Sequence, residues 1–205
     1  MDRQRKTVLA LAVTQALFQT GAVLILTIGG LAGQLLAPSA SLATLPIATV
    51  AIGTAVATIP ASLLMSRLGR RTGFLAGAAF GAAGGGVAAL AVAIGSFPLL
   101  CLGTFIVGAY QACAQFYRFA AAEAASPEFR SRAISLVLAG GVVAAVLGPH
   151  LGAATKDLLG GAVFAGSFLA VTVLSLIAGG VLAFAPLPTQ VAAEQGAAPA
   201  RPFLE

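Results

Sequence analysis

Six apolar stretches, each about twenty or more residues long and separated by short gaps, leave this chain of 205 residues few folds to choose from. A run of that length crosses the hydrocarbon core of a bilayer as a helix, whereas the strands of a membrane β-barrel are shorter and alternate in polarity. An all-α membrane protein is therefore expected, with spans at residues 7–31, 42–65, 73–94, 98–122, 133–153 and 162–184. Composition agrees, since 59% of residues are hydrophobic and 8% charged, where roughly a quarter of a soluble domain is charged.

Positive charge is distributed with a period of two gaps. Nine of the eleven Lys and Arg lie in alternate gaps and tails: Arg3, Arg5 and Lys6 before the first span, Arg67, Arg70 and Arg71 after the second, Arg130 and Arg132 after the fourth, and Arg201 after the sixth. The other gaps hold only Lys156, beside Asp157. Short loops rich in Lys and Arg stay on the cytoplasmic side, so both termini are expected there. Because the basic residues are dispersed over four segments, they read as topology signals and not as a nucleic-acid surface; the expected partner is the lipid bilayer. The first apolar run is too long for a cleaved signal peptide. Cys101 and Cys113, twelve residues apart in one span, are too distant to pair and offer no metal-ligand spacing.

Short gaps imply antiparallel neighbours in one bundle over residues 1–185. Gly77, Gly81 and Gly85 recur every four residues on the third span, as do Gly148 and Gly152 on the fifth, the small-residue spacing that lets helices pack closely in lipid. Polar residues concentrate on the first and fourth spans: Gln15 and Gln19 are one turn apart, and Gln111, Gln115 and Arg118 follow an i, i+4, i+7 stripe. A 3+3 inverted repeat would make those two helices equivalent, a plan that recurs in secondary transporters. After residue 185, Pro186, Pro188 and an Ala/Glu/Gln segment predict a flexible cytoplasmic linker at 186–205.

Arg118 is the costliest residue to place, since an ionised group deep in a bilayer costs at least roughly 3 kcal/mol unless water or a partner compensates. Two readings stay open. It lines a cavity with Gln111 and Gln115, or it snorkels to the cytoplasmic end and pairs with Glu123 or Glu128 as a gate. Gln15 and Gln19 either line the same cavity or bond between helices. His150, the only histidine, is a candidate for proton coupling or a metal contact, or else a plain hydrogen-bonding residue near the outer surface. No carboxylate lies deep in a span, no nucleophile and base are juxtaposed, and the Gly84-Gly85-Gly86 run precedes no Gly-Lys-Ser/Thr. Neither catalytic residues, a cofactor nor a metal site is expected, and enzyme function is disfavoured.

The segment from Ser62 to Arg71, Ser-Leu-Leu-Met-Ser-Arg-Leu-Gly-Arg-Arg, resembles the signature of the major facilitator superfamily between its second and third helices, Gly-x-Leu-Ala-Asp-Arg/Lys-x-Gly-Arg-Arg/Lys. Arg67, Gly69, Arg70 and Arg71 match; Ser62 stands for the Gly and Ser66 for the Asp, whose carboxylate in the family belongs to a cytoplasmic latch. Gly148-Pro149-His150-Leu151-Gly152 is similar to the Gly-Pro motif of the fifth helix, and Pro127 to Ala133 is similar to the loop before it. The resemblance covers residues 5 to 185, as the family's N-terminal six-helix half. It implies that the first and fourth helices line a central cavity, which makes Gln15, Gln19, Gln111, Gln115 and Arg118 the substrate-site candidates and the 67–71 cluster a gating element.

The activity implied by that resemblance is secondary active transport of a small solute by alternating access, in a bacterial inner membrane, against a second six-helix half. That half would be a covalent continuation, for which 201–205 reads as a lead-in, or the second copy of a homodimer; a non-transporting assembly factor is the alternative. The chain is also similar to a bacterial subgroup that includes riboflavin and copper importers. Met65 is the only methionine after the first residue, which gives a thioether copper path little support.

Overall fold

The computed structural model describes residues 3–187, so the expected linker lies outside the described residues from position 188 onward, and Arg201 with it. The described residues form seven helices and no strand: α1 (Arg3–Leu36), α2 (Leu45–Leu68), α3 (Arg70–Ile94), α4 (Phe97–Ala114), α5 (Tyr117–Ala124), α6 (Arg130–Thr155) and α7 (Ala165–Phe184), with one 3-10 turn at Ala40–Leu42. Together α4 and α5 make the fourth span, which gives six spans long and apolar enough to cross a membrane. The protein is an integral membrane protein of the all-α class.

Local chemistry sets the helix ends. Gly69 joins α2 to α3 alone, at φ 84°, where a side chain would be strained. Gly95 ends α3 in the left-handed region (φ 71°), and the Ser96 N–H donates to the Ala91 carbonyl at 2.8 Å, closing a Schellman turn before α4 starts with Pro98 in its first turn. Two boundaries depart from the sequence expectation. Helix α1 runs from Arg3 to Leu36, longer at both ends than 7–31, because a helix continues while its backbone bonds are met and need not stop where hydropathy falls. The fourth span, expected to be continuous over 98–122, is interrupted at Gln115 and Phe116.

The packing has the symmetry of a 3+3 inverted repeat. Helix α1 packs on α6 and α7 of the second triplet, α4 packs on α2 and α3 of the first, and the third members α3 and α7 pack on each other. The two equivalent crossings both use glycine. A Cβ on Gly140 of α6 would lie 2.8 Å from the Ala16 nitrogen of α1, and one on Gly108 of α4 would lie 2.7 Å from the Thr54 nitrogen of α2, distances no side chain tolerates. Threonine hydroxyls cross-link the same layers: Thr49 and Thr104 are 2.7 Å apart, and Thr54 donates to the Gly108 carbonyl at 3.1 Å. In lipid such contacts replace the hydrophobic drive that water would provide. The outer surface is apolar, with Ile59 70% and Val142 71% exposed, as a bilayer requires.

Candidate functional site

One cavity of about 460 Å³ opens in the bundle, walled by α1, α2, α6 and the broken fourth span; α3 and α7 stand behind and contribute nothing to it. Gln15, Gln19, Gln111, Gln115 and Arg118 all line it. The i, i+4 spacing of α1 sends both of its amides to one face, and the i, i+4, i+7 stripe does the same for the fourth span. Apolar side chains fill the rest of the wall, among them Phe18, Ile25, Val107 and Leu138, which hydropathy did not distinguish from any other core residue.

Away from the signature-loop end, side-chain hydrogen bonds between the helices run through Thr and Ser, as in Thr172 to the Ala82 carbonyl at 3.1 Å and Thr155 to Ser167 at 3.0 Å. Among the described residues they leave the four cavity amides without a protein partner, each able to offer both a donor and an acceptor to a solute. Arg118 lies over the Phe119 ring, 4.9 Å from its centroid. Among the described residues its formal charge is the only one on the cavity wall. A pocket of neutral amides, one guanidinium and an apolar surround suits a flat or amphipathic solute rich in carbonyl, N–H and hydroxyl groups, or one with a single negative charge.

The signature loop is organised differently from a gate built on Arg118. Glu123 is held by Arg70, whose Nε donates to Oε2 at 2.7 Å while Nη2 binds Oε1, so the fork of the guanidinium meets both carboxylate oxygens. Arg71 donates to the Ala183 carbonyl at the end of α7, where the helix dipole favours a cation. Arg67, in the last turn of α2, is exposed, and the Ser66 hydroxyl returns to its own helix at the Leu63 carbonyl, 2.9 Å away. Glu128 is also occupied: its own backbone N–H, and then the Ser126 hydroxyl, hold its carboxyl below the usual range.

His150 lies outside the cavity on the exposed side of α6, with Nδ1 2.7 Å from the Val146 carbonyl. Met65 is buried at 6% exposure against Gly73, also away from the cavity. Among the described residues no three His, Cys, Asp or Glu side chains come together in a metal-binding group.

Two comparisons bear on this geometry. The sequence profile of the Major Facilitator Superfamily matches residues 8–205. The riboflavin transporter RfnT of Brucella anthropi is 42% identical over 174 residues, which cover 85% of this chain and 44% of that protein. The chain thus spans less than half the length of this relative.

Proposed function

The chain belongs to the major facilitator superfamily, and we propose on that footing that it forms one six-helix half of a secondary transporter that moves riboflavin by alternating access. The observation that carries the proposal is the convergence of four unpaired amides and one guanidinium on a single, otherwise apolar cavity. An isoalloxazine ring needs that combination. Its dimethylated edge is apolar, its imide edge presents acceptor, donor and acceptor in sequence, and a glutamine amide answers the imide with its own N–H and C=O. Its ribityl chain adds hydroxyls for the remaining amides, and the molecule carries no charge that would call for an acid in the cavity.

Gln111, Gln115 and Arg118 are in this reading the contacts from the fourth span, and Gln15 and Gln19 those from the first. Phe18 and the aliphatic wall take the ring faces. The cavity volume falls in the usual range for small-molecule sites, roughly 300 to 1,000 Å³, and α2 and α6, which wall it, belong to the least buried of the six spans. A second six-helix half would close it there, and the greater length of the riboflavin transporter supports a covalent second half over a homodimer. Rocking of the two halves then exposes the site to one side at a time. In this reading both termini, and the Arg70 to Glu123 pair, face the cytoplasmic side of a bacterial inner membrane, an orientation that the alternation of basic gaps supports.

Copper is the less favoured substrate. Thioether, thiol and imidazole groups are the ligands it would need, and Met65, Cys113 and His150 lie apart from the cavity. The test is uptake of radiolabelled riboflavin by a riboflavin-auxotrophic bacterium lacking its own transporter and producing the protein at the length its gene encodes. Uptake that is saturable and reduced at least tenfold in Gln115→Ala/Arg118→Ala supports the proposal. Uptake equal to that of empty cells overturns the substrate; uptake undiminished in the double variant overturns the site.

A further inference from the structure

The cavity wall changes character along the bundle axis. Contacts between the helices set the level of each lining residue: Phe18 meets Tyr110 edge to face at 5.0 Å between centroids, Thr49 stands 2.7 Å from Thr104, and Gly140 crosses α1 at Ala16. Toward the start of α2 the lining is apolar, with Ile25, Leu26, Ile47, Val50 and Val107. The five polar side chains, Gln15, Gln19, Gln111, Gln115 and Arg118, run from about the level of the Phe18 to Tyr110 contact toward the signature-loop end. The cavity therefore has an apolar end and a polar end, and a solute with the same division fits it in one orientation.

Arg118 closes the polar end, five residues before Glu123. No carboxylate among the described residues answers it. Glu123 is held by Arg70, Asp157 lies 3.7 Å from Lys156, and Glu128 accepts from its own backbone N–H and from Ser126. One cation on an otherwise neutral, partly apolar wall focuses a positive potential into the cavity. Neutral riboflavin leaves that potential unused. A guanidinium presents a fork of N–H donors that suits two oxygens of a phosphate, and the neighbouring Gln115 and Gln15 amides offer further donors. From Gln111 to Arg118 the fourth span rises about 10 Å, the reach of an extended ribityl phosphate.

We propose that the polar end of the cavity is a subsite for a phosphate monoester, where a flavin phosphorylated at the end of its ribityl chain binds with the phosphate on Arg118 and the dimethylated ring edge toward the apolar end. The inference rests on the flavin reading of the cavity. Such an ester is the product of the class of reaction that must consume an imported neutral flavin and keep it from leaving by the same carrier. The terminal hydroxyl oxygen takes a phosphoryl group from a nucleoside triphosphate, releasing the nucleoside diphosphate and the hydroxyl proton. In the orientation proposed above, Arg118 stands at the cytoplasmic end, so the ester reaches it from inside the cell. It then competes with riboflavin for the amides, and uptake slows as the product accumulates.

The test measures binding to the full-length protein in nanodiscs through the fluorescence of the flavin ring, with riboflavin and riboflavin 5′-phosphate as ligands and inorganic phosphate as competitor. The ester is expected to bind and to displace riboflavin competitively. Arg118→Gln should weaken the ester at least roughly tenfold more than it weakens riboflavin, the effect of a lost charge-assisted hydrogen bond. Arg118→Lys, which keeps the charge and loses the fork, should fall between, with both variants melting near the unmodified protein. Riboflavin uptake into right-side-out membrane vesicles should be inhibited more by ester loaded inside than by the same concentration outside. Failure of the ester to displace riboflavin, or equal losses for the two flavins in Arg118→Gln, would overturn the subsite. Inorganic phosphate displacing the ester at equal concentration would overturn a flavin as its ligand, and equal inhibition from both faces would overturn the cytoplasmic approach. Arg118-dependent binding of the ester to a protein that neither binds nor carries riboflavin would overturn the substrate and leave the subsite standing.

Discussion

Arg70, the first residue of α3, grips Glu123 of α5 through Nε and Nη2, joining segments 53 residues apart at the end of the bundle where the signature loop lies. The two side chains remain 27% and 46% exposed, so water screens the pair and its share of folding stability is small, about 1 kcal/mol or less. Its effect should fall on the conformational equilibrium instead. Glu123→Gln and Arg70→Gln are expected to shift the melting temperature by only a few degrees while changing the uptake rate severalfold, and the exchanged pair Arg70→Glu/Glu123→Arg should recover part of the rate. A melting temperature that collapses in the single variants would make the pair a structural one.

Adjacent glycines on α6 separate packing from composition. Gly140 sits where a Cβ would strike the α1 backbone at Ala16, whereas the nearest atom to a Cβ on Gly141 is the Gln19 Cγ at 3.9 Å, ordinary contact. Gly140→Val is therefore expected to destabilise the bundle by about 2 kcal/mol or more, within the range for overpacked sites, and Gly141→Ala to leave the melting temperature unchanged within a degree or two. Equal effects would mean that α1 and α6 do not cross there.

The cavity amides predict graded effects on affinity. Each glutamine that gives up a neutral hydrogen bond to the solute loses roughly 1 kcal/mol, about a fivefold change. Gln15→Ala, Gln19→Ala, Gln111→Ala and Gln115→Ala are each expected to raise the KM for riboflavin roughly three- to tenfold, with surface abundance unchanged. His150→Ala, remote from the cavity, should leave KM and the pH profile of uptake as they are.

The spans were legible because apolar length alone writes them, and the polar stripes because in a sequence so apolar each Gln or Arg stands out at helical spacing. Both Gln pairs and Arg118 could thus be named as candidates for one cavity, beside the open alternatives of interhelical bonding and a cytoplasmic gate. The interruption at Gln115 and Phe116 was not legible, since neither proline nor glycine stands there and the local pattern is that of an unbroken helix. Glu123 was one of two carboxylates considered for Arg118 in its gating reading, as a near neighbour in sequence. Its partner is Arg70, brought in by the packing of α3 against the fourth span, a pairing that local spacing does not report.

Glu128 supplies a pH prediction. Its carboxyl is held below the ordinary value of 4.5 by its own backbone N–H and by Ser126. A depressed folded-state pKa contributes stability that is present above the ordinary value and is lost as pH falls through the folded one. Glu128→Gln is therefore expected to melt slightly below the unmodified protein at neutral pH, with the difference vanishing in acid. Melting curves recorded from mildly alkaline to strongly acidic pH check this; a difference that grows toward low pH would contradict the assignment.

Riboflavin transport requires that the cavity of α1, α2, α6 and the fourth span receive a flavin and carry it across a bilayer. Counterflow in proteoliposomes containing the full-length protein measures that without cellular metabolism. Vesicles preloaded with unlabelled riboflavin should transiently accumulate labelled riboflavin from outside, and Gln115→Ala/Arg118→Ala should reduce that accumulation at least tenfold. Labelled riboflavin that never rises above protein-free vesicles, or that rises equally with the double variant, would contradict that role.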